Sequence, residues 1–477
     1  MKIFRPLAIL IFLSILIVPT LLMNIEEDAK SAIDNKMLTN FPLGANRDHS
    51  VGLTKSLEDY VSERIGFRDQ MILGYTIAND RMFGEMVHPS YSYGKDGFVF
   101  AKFSPPKQYG DFEDAFVQMV SKIQNFCNQR NIPFIFVLNP SKTSVMREHL
   151  PDGYKYNNDW INTLILKMNE NNITSLSNYE TLLTNRYGDY NLFDQKYDAG
   201  HWNDIGAFFG VNAILEKLES LNVKVHINSL DEFNIKEKIN YTLPVSEFPI
   251  CEKTLELTLN SPENIQNLTP LFIKDIILHP QHQFFSYCSN NVRIIEGGER
   301  GLIFQGSYMN GKGYKYLQNS LAEYIAIHNY QNILNFEYYF NLFQPDFVVF
   351  EIAEYTFSSS YFNYERMINF NLTPPISNFS QFKTISSDGN IECRDGDSTL
   401  TIEYKTSDPE IEHAYLVVGE SNFGMQKEID QSSGVTVFST TINRDVIEAS
   451  TTFHIDIINP ISKTIYRVSD STPVRIN

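Results

Sequence analysis

The sequence is short of basic residues. Its 39 Lys and Arg residues stand against 57 Asp and Glu residues, which gives a formal net charge of −18 over 477 residues. A nucleic-acid partner needs a basic field that neutralises phosphates, so this balance argues against one. Hydrophobic residues make up 43% of the chain and aromatic residues 13%, which excludes a disordered chain and predicts two or three packed units at this length.

Cysteine is equally scarce, and no CxxC pair occurs among Cys127, Cys251, Cys288 and Cys393. Four cysteines allow three pairings, and the sequence does not choose between them. A Cys251–Cys288 bridge is compatible with an oxidising compartment. Metal-ligand spacing is absent too, so we expect no metal site and no cofactor.

Only one long apolar run is present. It extends from Pro6 to Met23, carries no charge, and follows Lys2 and Arg5. This length is near the lower limit for crossing a bilayer and exceeds a usual signal-peptide core. Because no small-x-small cleavage pattern follows, we predict an uncleaved signal anchor over residues 1–30, with a cleaved signal peptide as the alternative. The protein would then cross the cell membrane once, and the rest of the chain would be extracytoplasmic.

Strand-like and helix-like segments alternate through the middle of the chain. Phe134 to Leu138 is a continuous apolar run that Asn139-Pro140 ends, as in a strand buried on both faces. Further segments continue the alternation: a helix from Asp159 to Asn171, a strand around Ile173, a helix from Ala207 to Leu221, the strand GLIFQGS ending at Gly306-Ser307, a helix from Tyr314 to Phe343, and a strand from Asp346 to Ile352. This order predicts an α/β domain with a parallel sheet flanked by helices.

Two regions depart from that pattern and suggest domain boundaries. Residues 222–300 look β-rich and irregular, as an insertion within an α/β domain of residues 31–385 would. From residue 386 to 477, short alternating runs such as LTIEYK and VTVFST are separated by turn residues. We predict a small C-terminal β-sandwich there.

Reactive groups in a parallel α/β sheet lie on loops at the carboxyl ends of the strands. One such strand end carries Ser307. The stretch YDAGHWNDIGAFFG is a second candidate feature, because it contains Asp198 and His201 three residues apart. A serine at a strand end, Ser307, would have its hydroxyl proton taken by a histidine that a carboxylate orients. The simpler alternatives are that Ser307 is a turn residue and that Asp198 or Asn203 caps a helix beginning near Asp204.

Five segments stand in order along the chain: ERIGFRDQMI (Glu63–Ile72) with GKDGFVF (Gly94–Phe100), NPSKTSVMREHLP (Asn139–Pro151), GHWNDIGA (Gly200–Ala207), Gly306-Ser307-Tyr308 and QPDFVVFEIAEY (Gln344–Tyr355). Together they resemble the AlgX/AlgJ-type, SGNH-hydrolase-like proteins of exopolysaccharide O-acetylation. The resemblance covers roughly residues 50 to 360. It implies an SGNH-hydrolase-like, flavodoxin-like sheet.

The resemblance also implies site residues: Ser307 as nucleophile, His201 as base and Asp198 as its orienter. Substrate-binding or oxyanion roles would fall to Gly306, Tyr308, Asn139, Lys142 and Tyr355. Two departures from the family pattern affect this assignment. The acid and histidine have two residues between them where many members have one, which leaves Asp194 and Asp204 as alternative orienters. Glu354-Tyr355 also stands where many members have Glu-Arg.

The expected function is extracytoplasmic O-acetylation of a cell-surface or secreted polysaccharide through an acyl-serine. The implied partners are the polysaccharide acceptor and a membrane-bound O-acyltransferase that supplies acetyl groups. A carbohydrate acetylesterase with the same three residues is one alternative. A non-catalytic glycan-binding or scaffold protein of a polysaccharide export assembly is the other.

Overall fold

The computed structural model describes residues 4–34, 36–43, 52–105, 107–280, 282–430, 434–448 and 453–469. Its helices are α1 Phe4–Leu21, α2 Leu53–Arg64, α3 Arg68–Phe83, α4 Asp111–Asn128, α5 Lys142–Val145, α6 Asp159–Glu170, α7 Tyr179–Thr184, α8 Asp204–Ser220, α9 Thr269–Phe272, α10 Asn291–Ile295, α11 Tyr314–Ser320, α12 Phe336–Phe343, α13 Tyr364–Ile368 and α14 Arg444–Glu448. Its strands are β1 Tyr91–Tyr93, β2 Val99–Ala101, β3 Phe134–Asn139, β4 Ser175–Ser177, β5 Phe233–Thr242, β6 Pro249–Leu259, β7 Ile265–Asn267, β8 Phe285–Asn290, β9 Arg300–Gln305, β10 Glu323–His328, β11 Phe347–Ala353, β12 Lys383–Asp388, β13 Asn390–Asp395, β14 Thr399–Thr406, β15 His413–Val418, β16 Ser421–Ile429, β17 Thr436–Asn443, β18 Phe453–Asn459 and β19 Thr464–Ser469.

A seven-stranded sheet in the order β4-β3-β11-β9-β10-β8-β7 forms the centre of the molecule. Its first five strands are parallel; β8 then pairs antiparallel with β10, and β7 pairs antiparallel with β8 at the edge. The predicted α/β class with a parallel sheet is therefore confirmed.

The central strands are buried on both faces. Along β3, Phe134 and Phe136 face a core that contains Phe116 of α4, while Ile135 faces a second core that contains Trp202. All six residues of β3 and all seven of β11 are buried. This two-sided burial explains why both strands are continuous apolar runs in the sequence.

The structure corrects the helix predicted from Tyr314 to Phe343. That stretch contains α11 and α12, with strand β10 between them. The strand pairs with β9 on one side and with β8 on the other. Its apolar centre, Tyr324 to Ile327, is buried, and a run this short does not distinguish a strand from a helix by periodicity.

The predicted insertion at residues 222–300 contains two kinds of structure. Strands β5 and β6 form a long antiparallel hairpin. Strands β7 and β8 instead extend the edge of the central sheet. Within the same region Cys251 is exposed and Cys288 is buried, and no disulfide joins them.

The C-terminal strands form one curled eight-stranded sheet, not two separate sheets. Strand β16 belongs to both halves, because Ser421–Met425 pairs with β15 and Gln426–Ile429 pairs with β17. The curl encloses a core to which Leu416 of one half and Phe438 of the other contribute. The predicted β character is correct, but in place of a two-sheet sandwich the strands form a single curled sheet with β12 and β13 at its edges.

Helix α1 contains much of the apolar N-terminal run, and large side chains such as Leu10, Phe12 and Ile15 are exposed. Over the ranges that the structure describes, no helix is both long enough and apolar enough to cross a membrane. The anchor over residues 1–30, of which residues 1–3 lie outside those ranges, stays a prediction.

Candidate active site

Ser307 lies directly beyond the carboxyl end of β9, after Gly306, and is the first residue of a helical segment. That segment includes a π-helical turn, Met309–Gly313, before it continues as α11. As the first helical residue, Ser307 has a backbone N–H without an intrahelical acceptor. This N–H and the hydroxyl of the same residue are therefore both available for chemistry at the sheet edge.

Asp198 and His201 lie on the turn before α8. The Asp198 carboxylate organises this turn, since its Oδ1 accepts hydrogen bonds from the backbone N–H groups of Gly200 at 3.0 Å and His201 at 2.9 Å. The helix cap is a different residue: the Asn203 side chain accepts a hydrogen bond from the Gly206 N–H at 2.9 Å. Capping and the Asp198–His201 pair thus use separate side chains.

A buried tryptophan joins this turn to the Ser307 segment. Trp202 is fully buried, and its Nε1 donates a hydrogen bond to the Tyr308 carbonyl at 3.0 Å. Its ring lies against α8 at Gly210, where an added Cβ would be 2.2 Å from the ring. Only glycine permits so close an approach, so the small residue sets the position of the tryptophan and of the histidine beside it.

The structure brings Asp198, His201 and Ser307 into one hydrogen-bonded chain. Asp198 Oδ1 lies 3.0 Å from His201 Nδ1, and His201 Nε2 lies 2.9 Å from Ser307 Oγ. Both separations are within hydrogen-bond range. An imidazole so placed can accept the serine proton while the carboxylate fixes its tautomer and orientation.

Electrostatics favour an ionised Asp198. Burial alone would raise its pKa, but the charges of His201 and Lys312 and the hydrogen bonds from His201 together outweigh burial and hold the pKa well below its usual range. The alternative orienters lie elsewhere: Asp204 contacts Lys315 at 2.8 Å, and Asp194 lies 3.8 Å from Lys312. Asp198 is therefore the carboxylate that contacts the histidine ring.

Gly306 directs its N–H into the protein and not into the cleft. The acceptor is the fully buried Glu351 carboxylate, with Gly306 N to Glu351 Oε2 at 2.7 Å. Asn139 donates its side-chain N–H to Glu351 Oε1 at 2.7 Å and is itself fully buried. Burial raises the pKa of Glu351 to about 7. Gly306 and Asn139 thus both hydrogen-bond to Glu351 and stabilise the loop, while their expected contact with substrate stays a prediction.

Lys142 and Tyr308 are also buried beneath the site. The Lys142 ammonium donates to the backbone carbonyls of Val99 at 2.6 Å and Asp198 at 3.0 Å, and burial lowers its pKa to about 8. The Tyr308 hydroxyl lies 2.7 Å from the carbonyls of Pro140 and Gly200. These contacts are all with backbone carbonyls and hold the segments beneath the site, while the expected substrate contacts of Lys142 and Tyr308 stay predictions.

Tyr355 differs from these residues because its side chain is 41% exposed. Its hydroxyl lies 2.5 Å from Ser307 Oγ and 3.1 Å from His201 Nε2. The three residues line a cleft of about 960 Å³ whose walls also include Tyr154, Trp160, Tyr330 and Tyr361. A hydroxyl at this position can donate to charge that develops beside Ser307.

The sequence assigned no role to two charged residues of this site: Lys312, and Glu351 at the start of the candidate segment EIAEY. Glu351 had a visible signal, since it is the one charged residue within the apolar run Phe347–Ala353. Lys312 had none, because it stands in a polar, glycine-containing loop sequence. Over the described residues, no group of His, Cys, Asp and Glu side chains has the arrangement of a metal site.

No protein-family model and no curated protein matches the chain. Similar solved structures include PatB1 of Bacillus cereus (TM-score 0.45, 16% identity, 58% of this chain and 98% of that one). They also include the O-acetyltransferase domain of Pseudomonas putida AlgJ (0.41, 14%, 59% and 99%) and Pseudomonas aeruginosa AlgX (0.35, 12%, 73% and 86%). AlgJ and AlgX, which give their names to the family that the sequence resembles, are thus among the structural neighbours at low identity.

Proposed function

We propose that this protein is an extracytoplasmic O-acyltransferase that moves an acetyl group onto a hydroxyl of a cell-surface or secreted polysaccharide. The observation that carries the proposal is the Asp198–His201–Ser307 hydrogen-bonded chain in an open cleft. Aromatic side chains along the cleft, such as Tyr154 and Tyr361, give sugar rings apolar surfaces to pack against.

In the first half of the reaction, His201 Nε2 accepts the Ser307 hydroxyl proton as Oγ attacks the acetyl carbonyl of the donor. The Ser307 N–H and the Tyr355 hydroxyl donate hydrogen bonds to the resulting oxyanion. The donor's leaving oxygen then takes the proton from His201, and an acetyl ester remains on Ser307. Asp198 stabilises the imidazolium between these steps.

In the second half, a sugar hydroxyl gives its proton to His201 and attacks the acetyl-serine. Collapse of the tetrahedral intermediate returns the proton to Ser307 Oγ and releases the acetylated sugar. The acetyl donor would be supplied from a membrane-bound O-acyltransferase, in line with the sequence resemblance. Attack by water in place of the sugar would make the protein an acetylesterase.

A chromogenic acetyl ester offered together with an oligosaccharide acceptor tests this function, with products identified by mass. We expect acetylated oligosaccharide from the wild type and loss of the reaction in Ser307→Ala and His201→Ala. His149→Gln is the matched control, because His149 Nδ1 also contacts a carboxylate, Asp96, at 2.8 Å, but stands away from the cleft.

Each product pattern has a distinct meaning. Free acetate without acetylated sugar would assign the protein to the esterases. Ester cleavage that persists at the wild-type rate in both Ser307→Ala and His201→Ala would refute the mechanism. Binding of the oligosaccharide without any turnover of the ester would favour the glycan-binding alternative.

A further inference from the structure

Lys312 lies behind the Asp198–His201 pair. Its Nζ is 3.5 Å from Asp198 Oδ2 and 3.8 Å from Asp194 Oδ2, and it donates a hydrogen bond to the Trp202 carbonyl at 3.1 Å. Its side chain is 21% exposed, toward a second cavity of about 480 Å³. The ammonium therefore approaches the oxygen of Asp198 that does not accept the two backbone N–H groups.

The π-helical turn explains how Lys312 reaches this position. Hydrogen bonds in a π-helix join residues five apart, as the Tyr314 N–H and the Met309 carbonyl are joined here, and Lys312 lies within this turn, five residues after Ser307. In a regular α-helix this spacing would turn Lys312 well away from the Ser307 face. In the wider turn Ser307 contacts His201 Nε2, while Lys312 forms an ion pair with Asp198 at the other end of the hydrogen-bonded chain.

A comparison with Lys142 shows that the surroundings of Lys312 differ from those of another lysine beneath the same site. Both ammonium groups lie near the Asp198 turn, but Lys142 contacts backbone carbonyls while Lys312 contacts two carboxylates. Burial lowers the pKa of Lys142 to about 8. For Lys312 burial acts in the same direction, but Asp198 and Asp194 outweigh it and the net pKa is raised.

We propose that Lys312 is a positioning residue for the reaction put forward above: its ammonium shares the Asp198 carboxylate with His201 and so keeps the imidazole in its neutral, proton-accepting form to lower pH. The proposal rests on the proposed function for its catalytic meaning. The electrostatic effect of Lys312 does not require catalysis. A carboxylate whose charge is balanced by a cation attracts a proton on the neighbouring imidazole less strongly.

Removal of the charge should therefore move the titration of His201. The titratable and charged groups around this ring and its carboxylate, all of which remain in the variants, are Asp194, Asp198, Asp204, Lys142, Tyr197, Glu252, Tyr308, Glu351 and Tyr355. We expect the midpoint of the His201 titration to rise by about one pH unit in Lys312→Gln, which can still donate to Trp202. Lys312→Arg should stay near the wild type.

The measurement is NMR titration of the full chain labelled at histidine, with the His201 signal assigned from its loss in His201→Ala. Lys315→Met is the matched control: Lys315 lies one turn further along, lines the same second cavity, and pairs with Asp204 at 2.8 Å instead of with Asp198. It should leave the His201 midpoint unchanged. In active enzyme, the acid limb of kcat/KM should shift by the same amount in Lys312→Gln.

The outcomes are decisive in either direction. A folded Lys312→Gln with the wild-type midpoint, or a Lys315→Met shift of equal size, would overturn the proposal. If Lys312→Gln and Lys312→Met unfold while Lys312→Arg folds, the cation serves folding and the proposal also fails. An inactive wild type with the expected shift would refute the proposed function and leave the electrostatic role of Lys312 in place.

Discussion

A half-buried carboxylate, Asp198, and a fully buried one, Glu351, hold the segments around Ser307, and they differ in what donates to them. Asp198 accepts from the His201 ring and has the Lys312 ammonium at 3.5 Å. The Glu351 carboxylate accepts, among the described residues, two neutral donors, the Gly306 N–H and the Asn139 amide, each at 2.7 Å. Burial raises the pKa of both groups, but the cation and the imidazole reverse this at Asp198 alone.

The difference separates two tasks that an acid can perform in one site. A negative charge beside the imidazole stabilises the imidazolium that forms when the serine proton is transferred. A carboxyl group beneath the turn needs only acceptor oxygens, which it has whether or not it is ionised. We therefore expect the same chemical change, acid to amide, to have very different consequences at the two positions.

The largest effect should come from this matched pair of substitutions. Asp198→Asn favours the wrong imidazole tautomer and removes the stabilising charge, so we expect kcat/KM for acyl transfer to fall roughly 10⁴-fold. Glu351→Gln keeps an acceptor for the Gly306 N–H, and we expect a loss below about tenfold. Steady-state kinetics at pH 7.5 on both variants would measure this contrast.

Equal losses in the two variants would remove the distinction. Circular dichroism and thermal unfolding provide the folding control, since an Asp198→Asn variant that is less stable than Glu351→Gln would confuse a structural effect with a chemical one. Higher activity in Asp198→Asn than in Glu351→Gln would reverse the assignment of the two carboxylates.

A smaller loss should follow from the hydroxyl on the cleft side of Ser307. Tyr355→Phe removes the proposed oxyanion donor while the ring remains, and we expect kcat to fall roughly 10²–10³-fold with little change in KM. Tyr314→Phe is the control, because Tyr314 is also 41% exposed but lines the second cavity. A Tyr355→Phe variant that raises KM and leaves kcat intact would assign Tyr355 to substrate binding instead.

Sequence reasoning predicted the parts of this fold that have a strong local signal. The central strands β3 and β11 are buried on both faces and therefore appear as continuous apolar runs. Strand β10 was missed because its apolar run spans only about one and a half helical turns, too short for its periodicity to distinguish a strand from a helix. Pairing with β9 and β8 makes the segment a strand. The curl of the C-terminal sheet also depends on pairing, since β16 changes partner midway along its length.

The residues of the site also fall into two groups: those that local sequence indicates and those whose roles depend on the tertiary fold. Asp198 and His201 are close in sequence, and Ser307 follows a recognisable strand, so these three residues could be named in advance. The internal roles of Asn139, Lys142 and Tyr308 could not, because a polar side chain beside a strand end gives no sign of which way it points. Only the fold shows that Glu351 satisfies the Gly306 N–H.

The smallest expected effect is on stability, after the two effects on activity, and it concerns Glu351 alone. The pKa of Glu351 is raised by burial from its ordinary 4.5 to about 7. A group whose pKa is raised by folding stabilises the fold most below the unfolded pKa, and this contribution is lost as pH rises toward the folded pKa. Relative to Glu351→Gln, the wild type should therefore lose roughly 3 kcal/mol of unfolding free energy between pH 4.5 and 7.

Urea unfolding of both proteins at several pH values measures this difference, provided that the m-values agree. Asp194, whose pKa burial raises to about 6, is present in both proteins and cancels from the comparison. If the two stabilities run parallel from pH 4.5 to 7, Glu351 titrates at its ordinary value and burial does not control it. If the wild type instead gains stability over Glu351→Gln as pH rises, the ionised carboxylate is the favoured form, and the contrast with Asp198 is lost.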